Sequence, residues 1–68
     1  MRQQSMIKPK LLLVDDQEYL LKITISIIER IRQGMLLNFD VITASNGEEA
    51  YHKYMEHYKE IRVIVMDI

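Results

Sequence analysis

The chain has 68 residues, which is too short for more than one domain and short enough that a single hydrophobic core supplies only about 3 to 5 kcal/mol. Hydrophobic residues make up 49% and charged residues 28%, the balance of a folded chain rather than a disordered one. Nine Lys and Arg against ten Asp and Glu leave a net charge of -1, which excludes the strongly basic footprint of a nucleic-acid binder or of a segment drawn to an anionic membrane.

With no cysteine in the chain, disulfide staples and thiolate metal sites are excluded, and a cytoplasmic setting is expected. Residues 1–8 are polar and carry no long apolar run, so they read as a flexible tail. The first apolar run, Leu11 to Val14, is too short for a signal peptide or a membrane span. No segment repeats, and no Gly- or Ser-rich linker divides the sequence.

Leu11, Leu12, Leu13 and Val14 are continuously apolar and stop at Asp15 and Asp16, the pattern of a strand covered on both faces in a parallel sheet. Residues 17–33 then run without Gly or Pro. Leu20, Thr24, Ile27 and Ile31 recur at helical spacing, with Ile23 and Ile28 widening the stripe. Asp16 is suited to cap the start of this helix and Gly34 to end it. Ile23 to Ile27 also alternate like a strand, but about 17 residues exceed the usual strand length, and a parallel neighbour needs a crossover of a dozen or more residues. Phe39 to Ala44 reads as the second strand. Ser45, Asn46 and Gly47 form a turn, with Ser45 and Glu48 placed as a capping box. A second helix is expected to about Lys59, presenting Ala50, Tyr51, Tyr54, Met55 and Tyr58 to a sheet. Ile61 to Met66 is a third apolar, β-branched strand and it too ends on a carboxylate, Asp67.

The order β, α, β, α, β predicts a parallel α/β sheet whose strand C-terminal ends share one edge. Ligands in such sheets bind at that edge where the strand order reverses. If the first and third strands adjoin, they lie about 4.8 Å apart, and Asp15, Asp16 and Asp67 come into one small space. Three like charges repel there, whereas a bound cation turns each into a ligand. An all-oxygen set with room for water suits Mg²⁺, and a carboxylate beside such an ion can serve as nucleophile towards phosphorus. Taken alone, the Asp15-Asp16 pair would be explained as helix capping. The third strand-end acid is what favours a site.

These residues resemble a known family. Leu11-Leu12-Leu13-Val14-Asp15-Asp16-Gln17-Glu18, Ala44-Ser45-Asn46-Gly47-Glu48-Glu49-Ala50 and Val63-Ile64-Val65-Met66-Asp67-Ile68 are similar to the first part of the receiver domain of two-component response regulators. The resemblance covers residues 9–68 and implies a flavodoxin-like parallel fold of strand order 2-1-3, truncated after the third strand, with two strands and three helices missing. It implies that Asp67 is the phospho-acceptor, Asp16 a direct Mg²⁺ ligand, and Asp15 an acid acting largely through metal-bound water. The implied partner is a histidine kinase or a histidine phosphotransfer protein, and the implied role is that of a phospho-accepting signalling module rather than an enzyme. The Ser or Thr, the Lys and the aromatic switch residue that such domains carry later in the chain have no counterpart here, so a fragment impaired on its own is expected.

The alternative is a docking or dimerisation module that keeps this fold and works without phosphate. A strand-end Asp nucleophile with Mg²⁺ also occurs in haloacid-dehalogenase-type phosphatases, but their two acids stand one residue apart, whereas Asp15 and Asp16 are adjacent. His52 and His57 stand about 140° apart around a helix, which excludes them as a paired metal site.

Overall fold

The strand β1, Lys10–Asp15, is the centre of a three-stranded parallel sheet in the computed structural model, which describes residues 8–67. It is followed by α1, Glu18–Met35; β2, Asp40–Ala44; α2, Gly47–His57; and β3, Ile61–Asp67. The strand order is β2-β1-β3 and both pairings are parallel. This is the strand order and helix arrangement of the flavodoxin-like α/β class, as the sequence predicts. Residues 1–7 of the expected tail lie outside the described residues, while Lys8 forms an ion pair with Asp40 at 3.2 Å.

The continuous apolar run of β1 follows from its position. Successive strand residues face opposite sides, and Leu12, Leu13 and Val14 are all buried, so both faces are covered. Leu12 and Val14 pack with Ile42 and Ala44 of β2 and with Ala50 of α2. Leu13 points the other way, beneath α1, where Leu21 is the buried helix residue. The two helices therefore lie on opposite faces of the sheet. Lys53 ties α2 down by donating from Nζ to the Thr43 carbonyl at 3.1 Å.

The helix α1 forms despite its β-branched alternation, and it turns inward part of the face its spacing predicts, Leu20, Thr24 and Ile28, rotated so that the rest of that stripe is left out. Ile23, Ile27 and Ile31 are about half exposed, whereas Leu20, Thr24, Ile25 and Ile28 flank Leu21 on the covered side. A sheet three strands wide covers only a narrow stripe of an 18-residue helix, and the rest of the apolar arc overhangs. The expected cap, Asp16, is displaced by one position. Gln17 is the N-cap without a side-chain bond, and the Gln17 N–H donates instead to Asp15 Oδ1 at 2.9 Å. At the other end Gly34 lies inside the helix, and the left-handed residue is Leu36, at φ 55°. Leu36 N–H donates to Gln33 O at 3.3 Å and Leu37 N–H to Arg32 O at 3.0 Å, a Schellman closure. Arg32 fixes the exit by donating to the Phe39 carbonyl and pairing with Glu29.

The cap of α2 is also one residue later than expected. Asn46, not Ser45, accepts from the Glu49 N–H, at 2.8 Å. Glu49, not Glu48, reaches back to Ser45, accepting from both its N–H and its hydroxyl at 2.8 Å. The helix ends at His57 rather than Lys59 because the chain must turn there. Glu60 N–H donates to the His57 carbonyl at 2.8 Å, and the Glu60 carbonyl accepts from Lys10 N–H at 2.9 Å, which sets the start of β3. Of the expected inward stripe, Ala50 is buried while Tyr51, Tyr54, Met55 and Tyr58 stay substantially exposed.

β3 pairs with β1 through one irregularity. Lys10 stands opposite Ile61 and Leu11 opposite Val63, leaving Arg62 as an extra, bulged residue. From there the register is regular up to Asp15 opposite Asp67. Because β3 is an edge strand with no helix directly above it, Val63 to Asp67 are exposed. Among the described residues no helix is long and apolar enough to cross a membrane.

Candidate carboxylate site at the strand ends

The C-terminal edge of the sheet holds the three acids singled out in the sequence. β1 places Asp15 at its last position, where it is the one buried charged residue among those described, 7% exposed. Its Oδ1 is occupied by the Gln17 N–H, which fixes the rotamer and leaves Oδ2 as the free oxygen. β3 ends on Asp67, the register partner of Asp15. Partners in a parallel ladder share a face and lie about 4.8 Å apart between strand axes, so the two carboxylates stand side by side, one sheltered and one open to solvent. The chain reverses direction around β1, going first to β2 and then back to β3. The pair therefore sits where a flavodoxin-like sheet offers its ligand crevice.

Asp16 is placed differently. It is exposed in the turn after β1 and lines a crevice of about 380 Å³ with Glu18, Leu21, Thr43, Ala44, Ser45 and Glu49, over the β1–β2 side of the edge. Asp15 and Asp67 are thus brought together, and Asp16 opens towards β2. Among the described residues no group of three or more His, Cys, Asp or Glu side chains stands as a ready metal cluster. The donor chemistry nevertheless suits a hard ion: the nearby charged groups are carboxylates, which with water and backbone carbonyls are the ligands of Mg²⁺.

The crevice on the β2 side has no counterpart in the sequence reading. Its Glu49 carboxyl is held below its ordinary value of 4.5, first by the Ser45 N–H, then by the Ser45 hydroxyl and, more weakly, by Lys53. A Ser followed four residues later by Glu carries no distinctive signal, so this arrangement emerges only once the turn into α2 is known. His57 lies 3.6 Å from Glu60 and 3.8 Å from Glu56, while His52 is exposed beside Tyr51. Neither histidine reaches the strand-end acids.

Comparison with protein-family models, with curated proteins and with solved structures finds no match.

Proposed function

We propose that this chain is a phospho-accepting receiver module of a two-component or phosphorelay system, cytoplasmic, in which Asp67 takes a phosphoryl group from a phosphohistidine of a kinase or a histidine phosphotransfer protein. The observation that carries this reading is the register of Asp15 with Asp67 at the C-terminal ends of adjoining parallel strands, on the side where the strand order reverses. A second support is that Asp15 is buried and pinned by the Gln17 N–H, while Asp67 is exposed. That division suits a fixed ligand next to an accessible nucleophile.

In the proposed transfer, a carboxylate oxygen of Asp67 attacks phosphorus, the P–N bond to the donor imidazole breaks, and its electron pair stays on nitrogen. Mg²⁺ held by Asp15 and Asp67 would supply neutralisation of the phosphoryl charge, and Asp16, which faces the β2-side crevice, would join them only by turning towards the pair. The residues of this chain contribute position: the turn at Gln17 holds Asp15, and the regular ladder from Leu11 to Asp15 holds Asp67 level with it.

The test is intact-mass measurement after incubating the protein with a small acyl phosphate and Mg²⁺. A small fractional gain of one phosphoryl group is expected, because the chain is impaired on its own, and this gain is lost on chelation of the metal and absent in Asp67→Asn. A gain that persists in Asp67→Asn, or no gain at all even at high donor concentration and long incubation, overturns the reading. A phosphate-independent docking module is the second reading, favoured by one observation, the exposed apolar stretch Val63 to Met66 on the edge strand.

A further inference from the structure

We infer that Arg32 and Lys53 close the outer edge of β2 to any further strand, by occupying from the two faces of the sheet the main-chain carbonyls that such a strand would use. This inference goes beyond phosphoryl transfer and does not depend on it.

β2 bonds to β1 on one side and forms the margin of the sheet on the other. In the flavodoxin-like order 2-1-3-4-5 the second strand is outermost however many strands follow the third, so this edge belongs to the fold itself. Val41, Ile42 and Thr43 give it a β-branched centre, the composition that pairs readily when a strand edge is left bare. Which groups the edge presents follows from the ladder. The N–H and carbonyl of one strand residue point to the same side, and those of the next residue to the other. Asp40 N–H donates to the Pro9 carbonyl at 3.0 Å. Asp40, Ile42 and Ala44 therefore turn their main chain towards β1, and Phe39, Val41 and Thr43 turn theirs outward.

Of these outward carbonyls, the first and the last are taken by long cationic side chains. Arg32 of α1 donates to the Phe39 carbonyl, and its guanidinium lies over the Phe39 ring, 5.7 Å from the ring centre. Lys53 of α2 donates from Nζ to the Thr43 carbonyl at 3.1 Å. The two helices lie on opposite faces, so the edge is clasped from both sides, once at each end. Among the described residues, Val41 alone keeps an outward carbonyl without a side-chain donor. An incoming strand would have to displace a charge-assisted bond at either end and would meet a cation there, and cations are a recurrent device for blunting sheet edges.

Sedimentation of the 68-residue chain over a concentration series tests this, with far-UV circular dichroism to follow the fold. The double variant Arg32→Met, Lys53→Met is expected to form larger species at about tenfold lower concentration than the unaltered chain, on the order of what two freed carbonyls supply once bonded to another strand. Lys53→Arg, which keeps a donor, is expected to behave as the unaltered chain does. Val41→Pro added to the double variant is the deciding arm. The N–H it removes points outward, so no bond to β1 is lost, and association is expected to return to the unaltered level. If the two cations served only to fasten the helices, proline would add to the damage and association would rise further. β3 is the same in every arm, so association through it cancels in the comparison. A double variant no more associated than the unaltered chain overturns the inference, and association that survives Val41→Pro overturns it equally. Phosphoryl transfer is read separately by mass, so failure of one proposal is distinguishable from failure of the other.

Discussion

Leu36 is the one non-glycine residue with positive φ among those described, at 55°, and its side chain is 91% exposed. A left-handed conformation costs an L-residue with a Cβ about 1 to 2 kcal/mol, and here no packing repays it. Leu36→Gly is therefore expected to stabilise the chain by about 0.5 to 1 kcal/mol after the extra freedom of the unfolded glycine is counted. Chemical denaturation of the two proteins side by side measures this, and an unchanged or lowered midpoint contradicts it. The sequence suggests Gly34 for this role because it is the only nearby glycine. The outcome is decided instead by where Arg32 grips Phe39 and Glu29, a tertiary contact that local residue preference does not encode. The acids are legible for the opposite reason. An apolar strand that stops at a carboxylate marks Asp15 and Asp67 without any knowledge of neighbours. The separation of Asp15 from Asp16, by contrast, depends on the path of the turn.

Existence and order of the elements follow from periodicity, but their inward faces and caps do not. The α1 stripe is visible in the sequence as an apolar arc, yet which part of it is covered depends on the width of the sheet beneath. The α2 cap shows the same limit by a single position, with Asn46 and Glu49 taking the places expected of Ser45 and Glu48. This cap has a consequence for acid stability. Glu49 is held below its ordinary 4.5 chiefly by Ser45, so its folded value is depressed. The stabilisation from that carboxylate is full above the unfolded value, about 4.3, and disappears as pH falls through the folded value. Glu49→Gln keeps an acceptor for Ser45 but removes the titration. It is expected to lower the melting temperature at neutral pH slightly and to flatten its fall below about pH 4.5. Melting curves from neutral pH to pH 3 decide the matter, and an unaltered slope refutes the assignment.

At the scale of the molecule the core is small: among the described residues six apolar ones are buried, with Leu12 and Val14 the largest that are fully so. Its radius of gyration, 12.8 Å, exceeds the roughly 11 Å of a compact domain of this length, as befits a three-stranded sheet with open margins. Leu12→Ala is expected to cost about 2 to 5 kcal/mol, comparable with the total that so small a core supplies. Loss of the helical circular dichroism signal at 25 °C, or a transition moved to far lower denaturant, is the expected readout. A near-normal transition would mean that Leu12 does not anchor the fold. The parallel order was legible because each strand-helix alternation restricts the chain to few topologies. The alignment of the acids rests on something subtler. One spare residue at Arg62 takes up slack between the turn after α2 and the regular ladder. Drawn taut, with Arg62 opposite Leu11, the strand would set Met66 across from Asp15 and send the carboxylate of Asp67 to the other side of the sheet. Gain or loss of a residue ahead of Val63 can thus be absorbed, whereas the same change between Val63 and Asp67 would part the two acids, so tolerance to length in this chain ends at Val63.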